Sequence, residues 1–218
     1  PAFLAQRLIE FPLIIELVVS WAGFSLITSA IYIFNDYQDR KIDRQHPIKR
    51  NRPLAAGAIS PTHAFILMGC LLLLGAGFIF WINWQGLLLV GVYILINLAY
   101  SLWLKQSPIL ELGQIALGFL IRIGLGAVMA TPFIPLSGWI VVMIFLGALF
   151  LGLAKRRDDL LLAEKGHQVR KSIDGYNLPF VNGGMILMGS VLIVAYVSYT
   201  LSPQIQAQFD TPYLYATS

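Results

Sequence analysis

The chain has 218 residues, 57% hydrophobic and 12% charged, and that charged share is about half of what a soluble domain carries. This balance excludes an ordinary soluble protein. The formal charge of +4 does not indicate a nucleic-acid binder either, because the bases sit in loops beside apolar runs without aromatic residues among them. No Ser-rich, Pro-rich or low-complexity linker interrupts the apolar segments, so residues 1–218 read as a single all-α, polytopic transmembrane domain. Its apolar start (Pro1-Ala2-Phe3-Leu4) and its end (Tyr213 to Ser218) read as cuts in a longer protein. The one cysteine, Cys70, lies in an apolar run and reads as a small packing residue.

Long uncharged runs predict six membrane helices near 13–34, 63–82, 87–104, 112–132, 137–154 and 180–202. The breaks at Asn83 to Gly86 and Thr131 to Gly138 carry no charge. Alternate crossings then put 35–62, 105–111 and 155–179 on one side, and these segments hold thirteen of the fifteen Lys and Arg residues. The positive-inside rule makes that side cytoplasmic, which predicts a multi-pass protein of the inner (plasma) membrane. Trp81, Trp84 and Trp139 flank the uncharged turns as interfacial aromatics do, and Trp103 marks the opposite interface. The glycines, as in Gly126/Ala130 and Ala148/Gly152, read as close-packing positions. Glu16, near the outer end of the first helix, receives no role.

The end of the first span reads Asn35-Asp36-Tyr37-Gln38-Asp39-Arg40-Lys41-Ile42-Asp43, followed by Arg44 to Pro53. If the helix continues, spacings of three and four place Asp36, Asp39 and Asp43 on one face. Three carboxylates together repel one another and call for a cation. Hard oxygen ligands of this kind suit Mg²⁺, which keeps several waters and is shared with substrate phosphates. The bland alternative, acids paired with Arg40, Lys41 and Arg44 in a solvated loop, leaves unexplained the basic group Lys49, Arg50 and Arg52 that follows. Those bases fit the remaining oxygens of a pyrophosphate.

At these residues the chain resembles the UbiA superfamily of intramembrane prenyltransferases, whose first motif is Asn-Asp-x-x-Asp-x-x-x-Asp followed by a basic stretch ending Arg-Pro. Asn35, Asp36, Asp39, Asp43, Arg52 and Pro53 match it. The resemblance implies a helical bundle, normally of nine helices, around a lipid-accessible cavity in which this motif binds Mg²⁺ and pyrophosphate.

The second charged loop departs from the superfamily's second aspartate motif. It reads Lys155-Arg156-Arg157-Asp158-Asp159, then Glu164-Lys165-Gly166, and ends Arg170-Lys171-Ser172-Ile173-Asp174-Gly175-Tyr176-Asn177, with adjacent aspartates and six bases against four acids. A loop this basic suits a substrate with more phosphate than an allylic pyrophosphate brings. The chain also resembles the decaprenyl-phosphate phosphoribosyltransferase-like branch. The likeness lies in His46-Pro47-x-Lys49-Arg50, Tyr100-Ser101-x-x-Leu104-Lys105, Arg122 with Gly126-Ala127, Lys155 to Asp158, and Asp174 to Tyr176.

That branch implies transfer of 5-phosphoribosyl from phosphoribosyl pyrophosphate to a polyprenyl phosphate, with pyrophosphate released, in cell-envelope biosynthesis. The reading assigns Asp36, Asp39 and Asp43, with Asn35, to Mg²⁺ and the pyrophosphate, and Lys49, Arg50 and Arg52 to its oxygens. It gives Lys155, Arg156, Arg157, Asp158, Asp159, Lys171 and Tyr176 to the ribose 5-phosphate and hydroxyls, and Lys105 and Arg122 to the lipid phosphate. Arg122 stands in mid-span, where a charge needs a cavity or a partner such as Glu111. His46 is a weaker phosphate ligand, while His63 and His167 read as loop residues. Two rivals are a UbiA-type prenyltransferase acting on an aromatic or other acceptor, and a non-catalytic lipid-phosphate binding or transport protein. The oligomeric state is left open, a homo-oligomer included.

Overall fold

A computed structural model describes residues 10–102, 108–164, 175–203, 205 and 206. The described residues form helices and turns and no strand. Long helices are α1 (Phe11–Asp43), α3 (Pro61–Ile82), α4 (Gly86–Leu102), α5 (Pro108–Met129), α6 (Gly138–Glu164) and α7 (Leu178–Thr200); the four-residue α2 (Pro53–Ala56) sits in the first charged loop behind a 3-10 turn, Lys49–Asn51. A helix stands at each of the six anticipated positions. Five are long and apolar enough to cross a membrane, and α4, at 17 residues, is shorter.

The helices start where the local chemistry lets them. Pro61 stands in the first turn of α3, and Ser60 caps it by accepting from the His63 N–H at 3.3 Å. Asn177 does the same for α7, accepting from the Phe180 N–H at 2.8 Å. Both caps satisfy N–H groups that a helix start leaves without partners. His63 thus belongs to the first turn of α3, its Nδ1 2.6 Å from Ser60 Oγ, and not to a loop.

The 33 residues of α1 span about 50 Å, while the hydrocarbon layer is about 30 Å thick. Its last turns, from Asn35 on, consequently project beyond the apolar segment as helix. Large exposed apolar side chains such as Leu73, Trp81 and Ile193 belong against lipid rather than water. Cys70 is exposed too, on α3, so it faces outward from its unit and does not pack inside it.

The chain forms two compact units: one of α1 to α4 with residues 123–134, the other of the rest of α5 with α6 and α7. In the first, α1 packs on α3 at Gly23 and Gly75. A methyl group at Gly75 would stand 2.6 Å from the Gly23 carbonyl oxygen, so the two backbones meet with no side chain between them. Gly86 plays a related part at the start of α4, where a Cβ would lie 1.7 Å from Met129 Cε. Asn83 Nδ2 donates to the Val128 carbonyl at 2.9 Å, and the Thr131 N–H donates to Glu16 Oε2 at 2.9 Å. Glu16, given no role from sequence, thereby holds the turn after α5. In the second unit α6 packs on α7, with Leu112, Leu153, Tyr176 and Val181 forming a buried core.

Candidate functional site

The projecting end of α1 carries the acids. Because the helix runs unbroken to Asp43, Asp36, Asp39 and Asp43 do share one face. Asp36 and Asp43 converge on a single atom: Arg52 Nη1 lies 2.8 Å from Asp36 Oδ1 and 3.0 Å from Asp43 Oδ2. The Asp43 side chain is only 3% exposed, and Lys49 Nζ stands 3.8 Å from its other oxygen. Burial pushes the Asp36 carboxyl above the ordinary carboxylate range, Arg52 pulls it back, and Asp43 and Asp39 push it further up. Among the described residues no three Asp, Glu, His or Cys side chains close on one metal-sized point.

Local backbone chemistry delivers Arg52. It follows the 3-10 turn and precedes Pro53, which keeps the residue before it extended (φ −63°, ψ 141°). Gly57, with φ 76°, then ends α2 in the left-handed region that suits glycine. His46 shapes the same turn, its Nδ1 accepting from the Ile48 and Lys49 N–H groups at 3.2 and 3.3 Å. The neighbouring bases go elsewhere. The Arg40 guanidinium lies 3.8 Å from the Tyr37 ring centroid, and Arg44 Nε donates to the Ala55 carbonyl at 2.9 Å. Arg50 is exposed. Asn35 accepts through Oδ1 from buried Ser101 Oγ on α4, a partner that sequence spacing did not announce.

In the second unit Arg156 is buried at 3% exposure. Its Nη2 lies 2.5 Å from Glu111 Oε2, and its Nη1 lies 3.2 Å from Asp159 Oδ2. Glu111, weighed from sequence as a partner for Arg122, instead pairs with Arg156. Tyr176 is buried beside this pair; burial raises its phenol above the ordinary value, Arg156 pulls it back, and Glu111 pushes it further up. Arg157 Nε donates to Asn182 Oδ1 at 2.9 Å, while Lys155 and Asp158 are exposed. Arg122 is exposed, its guanidinium 5.4 Å from the Phe119 ring centroid. Lys105, Lys171 and His167 lie outside the described residues.

A set of apolar membrane helices, one of which carries carboxylates and bases beyond its apolar stretch, defines a multi-pass membrane protein with a charged cluster at the end of one span. Residues 2–166 match the model of the UbiA prenyltransferase family. The chain belongs to that family. It is 35% identical over 185 residues to the decaprenyl-phosphate phosphoribosyltransferase of Mycolicibacterium smegmatis, covering 84% of this chain and 58% of that protein. It is 32% identical over 187 residues to the enzyme of the same name from Corynebacterium glutamicum, covering 84% and 55%. The chain thus spans a little over half the length of these relatives. A UbiA homologue from Archaeoglobus fulgidus, solved with DMAPP and Mg²⁺, superposes with a TM-score of 0.70 at 16% identity, covering 88% of this chain and 69% of that one. This last likeness establishes the shared fold.

Proposed function

We propose that the protein transfers a 5-phosphoribosyl group from phosphoribosyl pyrophosphate to a polyprenyl phosphate of decaprenyl type, at the cytoplasmic side of the inner membrane. The convergence of Asp36 and Asp43 on one cationic point, the Arg52 guanidinium, with Lys49 close by, carries the reading. Two carboxylates meeting at one point are a fitting donor set for Mg²⁺, which is normally held by one or two carboxylates together with substrate phosphates. Asp36 and Asp43, with Asp39 and Asn35 beside them, would hold it. Bound there, the ion would neutralise charge on the pyrophosphate as it departs.

The residues of the chain account for the rest. Lys49, Arg50 and Arg52 take pyrophosphate oxygens in charge-assisted hydrogen bonds. Lys155, Arg156, Arg157, Asp158, Asp159, Lys171 and Tyr176 are assigned to the ribose 5-phosphate and hydroxyls, and Lys105 and Arg122 to the lipid phosphate. A phosphate oxygen of the lipid bonds to ribose C1 as the bond from C1 to the pyrophosphate oxygen breaks, and the electron pair leaves with pyrophosphate. The attacking phosphate monoester has a second pKa of about 6, so it is already largely dianionic near neutral pH and no general base is required. Positioning and stabilisation of the leaving group supply the acceleration.

The test uses full-length protein in lipid with Mg²⁺, labelled phosphoribosyl pyrophosphate and polyprenyl phosphate. Label passing into the lipid phase supports the reading. Folded protein that instead releases pyrophosphate from a prenyl pyrophosphate, and leaves the ribosyl donor untouched, overturns it.

A further inference from the structure

Asp43 is almost wholly enclosed, and of its two cationic partners Arg52 is the nearer, at 3.0 Å, with Lys49 at 3.8 Å. A buried carboxylate stripped of its cation is strongly disfavoured. The same Arg52 nitrogen serves Asp36, so one guanidinium occupies the point on which both acids converge. A divalent ion and a guanidinium cannot share that point, since they repel and need the same oxygens. The Arg52 side chain is 40% exposed, and its backbone is pinned between the 3-10 turn and Pro53. Its head group can therefore swing without any rearrangement of the chain. A guanidinium released from carboxylates needs another planar anion, and its fork of donors matches phosphate as well as carboxylate.

We propose that Arg52 is the resident counter-ion of Asp36 and Asp43, and that it passes from them to pyrophosphate when a divalent ion takes its place. The inference rests on the proposed function and extends it. An ion arriving alone must drive Arg52 off with nothing to receive it. An ion arriving with pyrophosphate gives Arg52 a new partner. Ion and pyrophosphate then bind as a coupled pair, each strengthening the other by the same factor.

The experiment measures Mn²⁺ uptake by full-length protein in proteoliposomes, at matched free-ion concentration, with and without inorganic pyrophosphate. In the unaltered protein pyrophosphate should tighten Mn²⁺ binding by about tenfold, within the usual range of such couplings. Arg52→Gln should bind Mn²⁺ alone about tenfold more tightly than the unaltered protein, with pyrophosphate adding little. Arg52→Lys, which keeps the charge, should fall between them and guards against misfolding of the first variant. Ion-dependent gain in melting temperature should be larger for Arg52→Gln than for the unaltered protein. If Arg52→Gln binds Mn²⁺ alone no more tightly while the unaltered protein still takes it up with pyrophosphate, the counter-ion role falls and the proposed function stands. If the unaltered protein takes up no Mn²⁺ even with pyrophosphate, the metal assignment itself falls and this inference falls with it.

Discussion

Glu111→Gln removes the carboxylate that faces Arg156 at 2.5 Å, in a place where the arginine side chain is 3% exposed and the glutamate 13%. Taking one partner from a buried ion pair costs about 3 to 5 kcal/mol, because a charge is left uncompensated in a poorly solvated site. Asp159 stays within 3.2 Å of Arg156 and is 22% exposed, so part of the compensation survives. The expected loss is therefore the low end, about 3 kcal/mol, or roughly a 150-fold fall in the folded-to-unfolded ratio. Equilibrium unfolding of the full-length protein in mixed micelles measures it. The double variant Glu111→Leu with Arg156→Met should recover most of the loss, since apolar side chains of similar size need no counter-charge. A loss below about 0.5 kcal/mol, the range of an ordinary surface substitution, would refute the buried-pair argument. The same double variant tests whether Arg156 also takes the donor's phosphate: unchanged KM for phosphoribosyl pyrophosphate would confine the residue to its structural pair.

Asp43→Asn should lower phosphoribosyl transfer at least 100-fold, about 2.7 kcal/mol of transition-state stabilisation, read as labelled lipid formed per minute. Chelation of divalent ions with EDTA should abolish transfer, and added Mg²⁺ should restore it, while helix content by circular dichroism stays constant. Gly75→Val should cost about 1 to 3 kcal/mol by overpacking, because its side chain would meet the Gly23 carbonyl oxygen and Ile27. Gly69→Val, where an added Cβ meets nothing within 4 Å, should leave unfolding within about 0.5 kcal/mol of the parent.

The membrane helices were legible because hydrophobic runs and their uncharged breaks are local facts. Asn83 to Gly86 and Thr131 to Gly138 do mark the turns, although α4 takes Gly86 and α6 takes Gly138 as its first residue. Hydrophobicity alone ended the first and fifth spans at 34 and 154. The helices run on to Asp43 and Glu164, since backbone hydrogen bonding does not stop where side chains turn polar. That the acids share a face followed from helical spacing. That Arg52, of all the nearby bases, would hold two of them did not, because it depends on how the chain turns back through α2. The pairing of Glu111 with Arg156 joins two helices and is tertiary by nature. Exposure of Cys70 escaped the reading for another reason: in lipid an apolar run gives no clue to which side is inside.

The contact of Gly23 with Gly75 brings the main chains of α1 and α3 together, with Ile27 and Phe78 packed around it. Further along the same two helices the ring of Tyr37 meets that of Phe65 edge-on, with centroids 4.7 Å apart. From Gly23 to Tyr37 the helix rises about 21 Å, so the acidic end of α1 is braced at two separated points, one among the lipid tails and one beside Asp36, and the carboxylates are held steady by the partner helix.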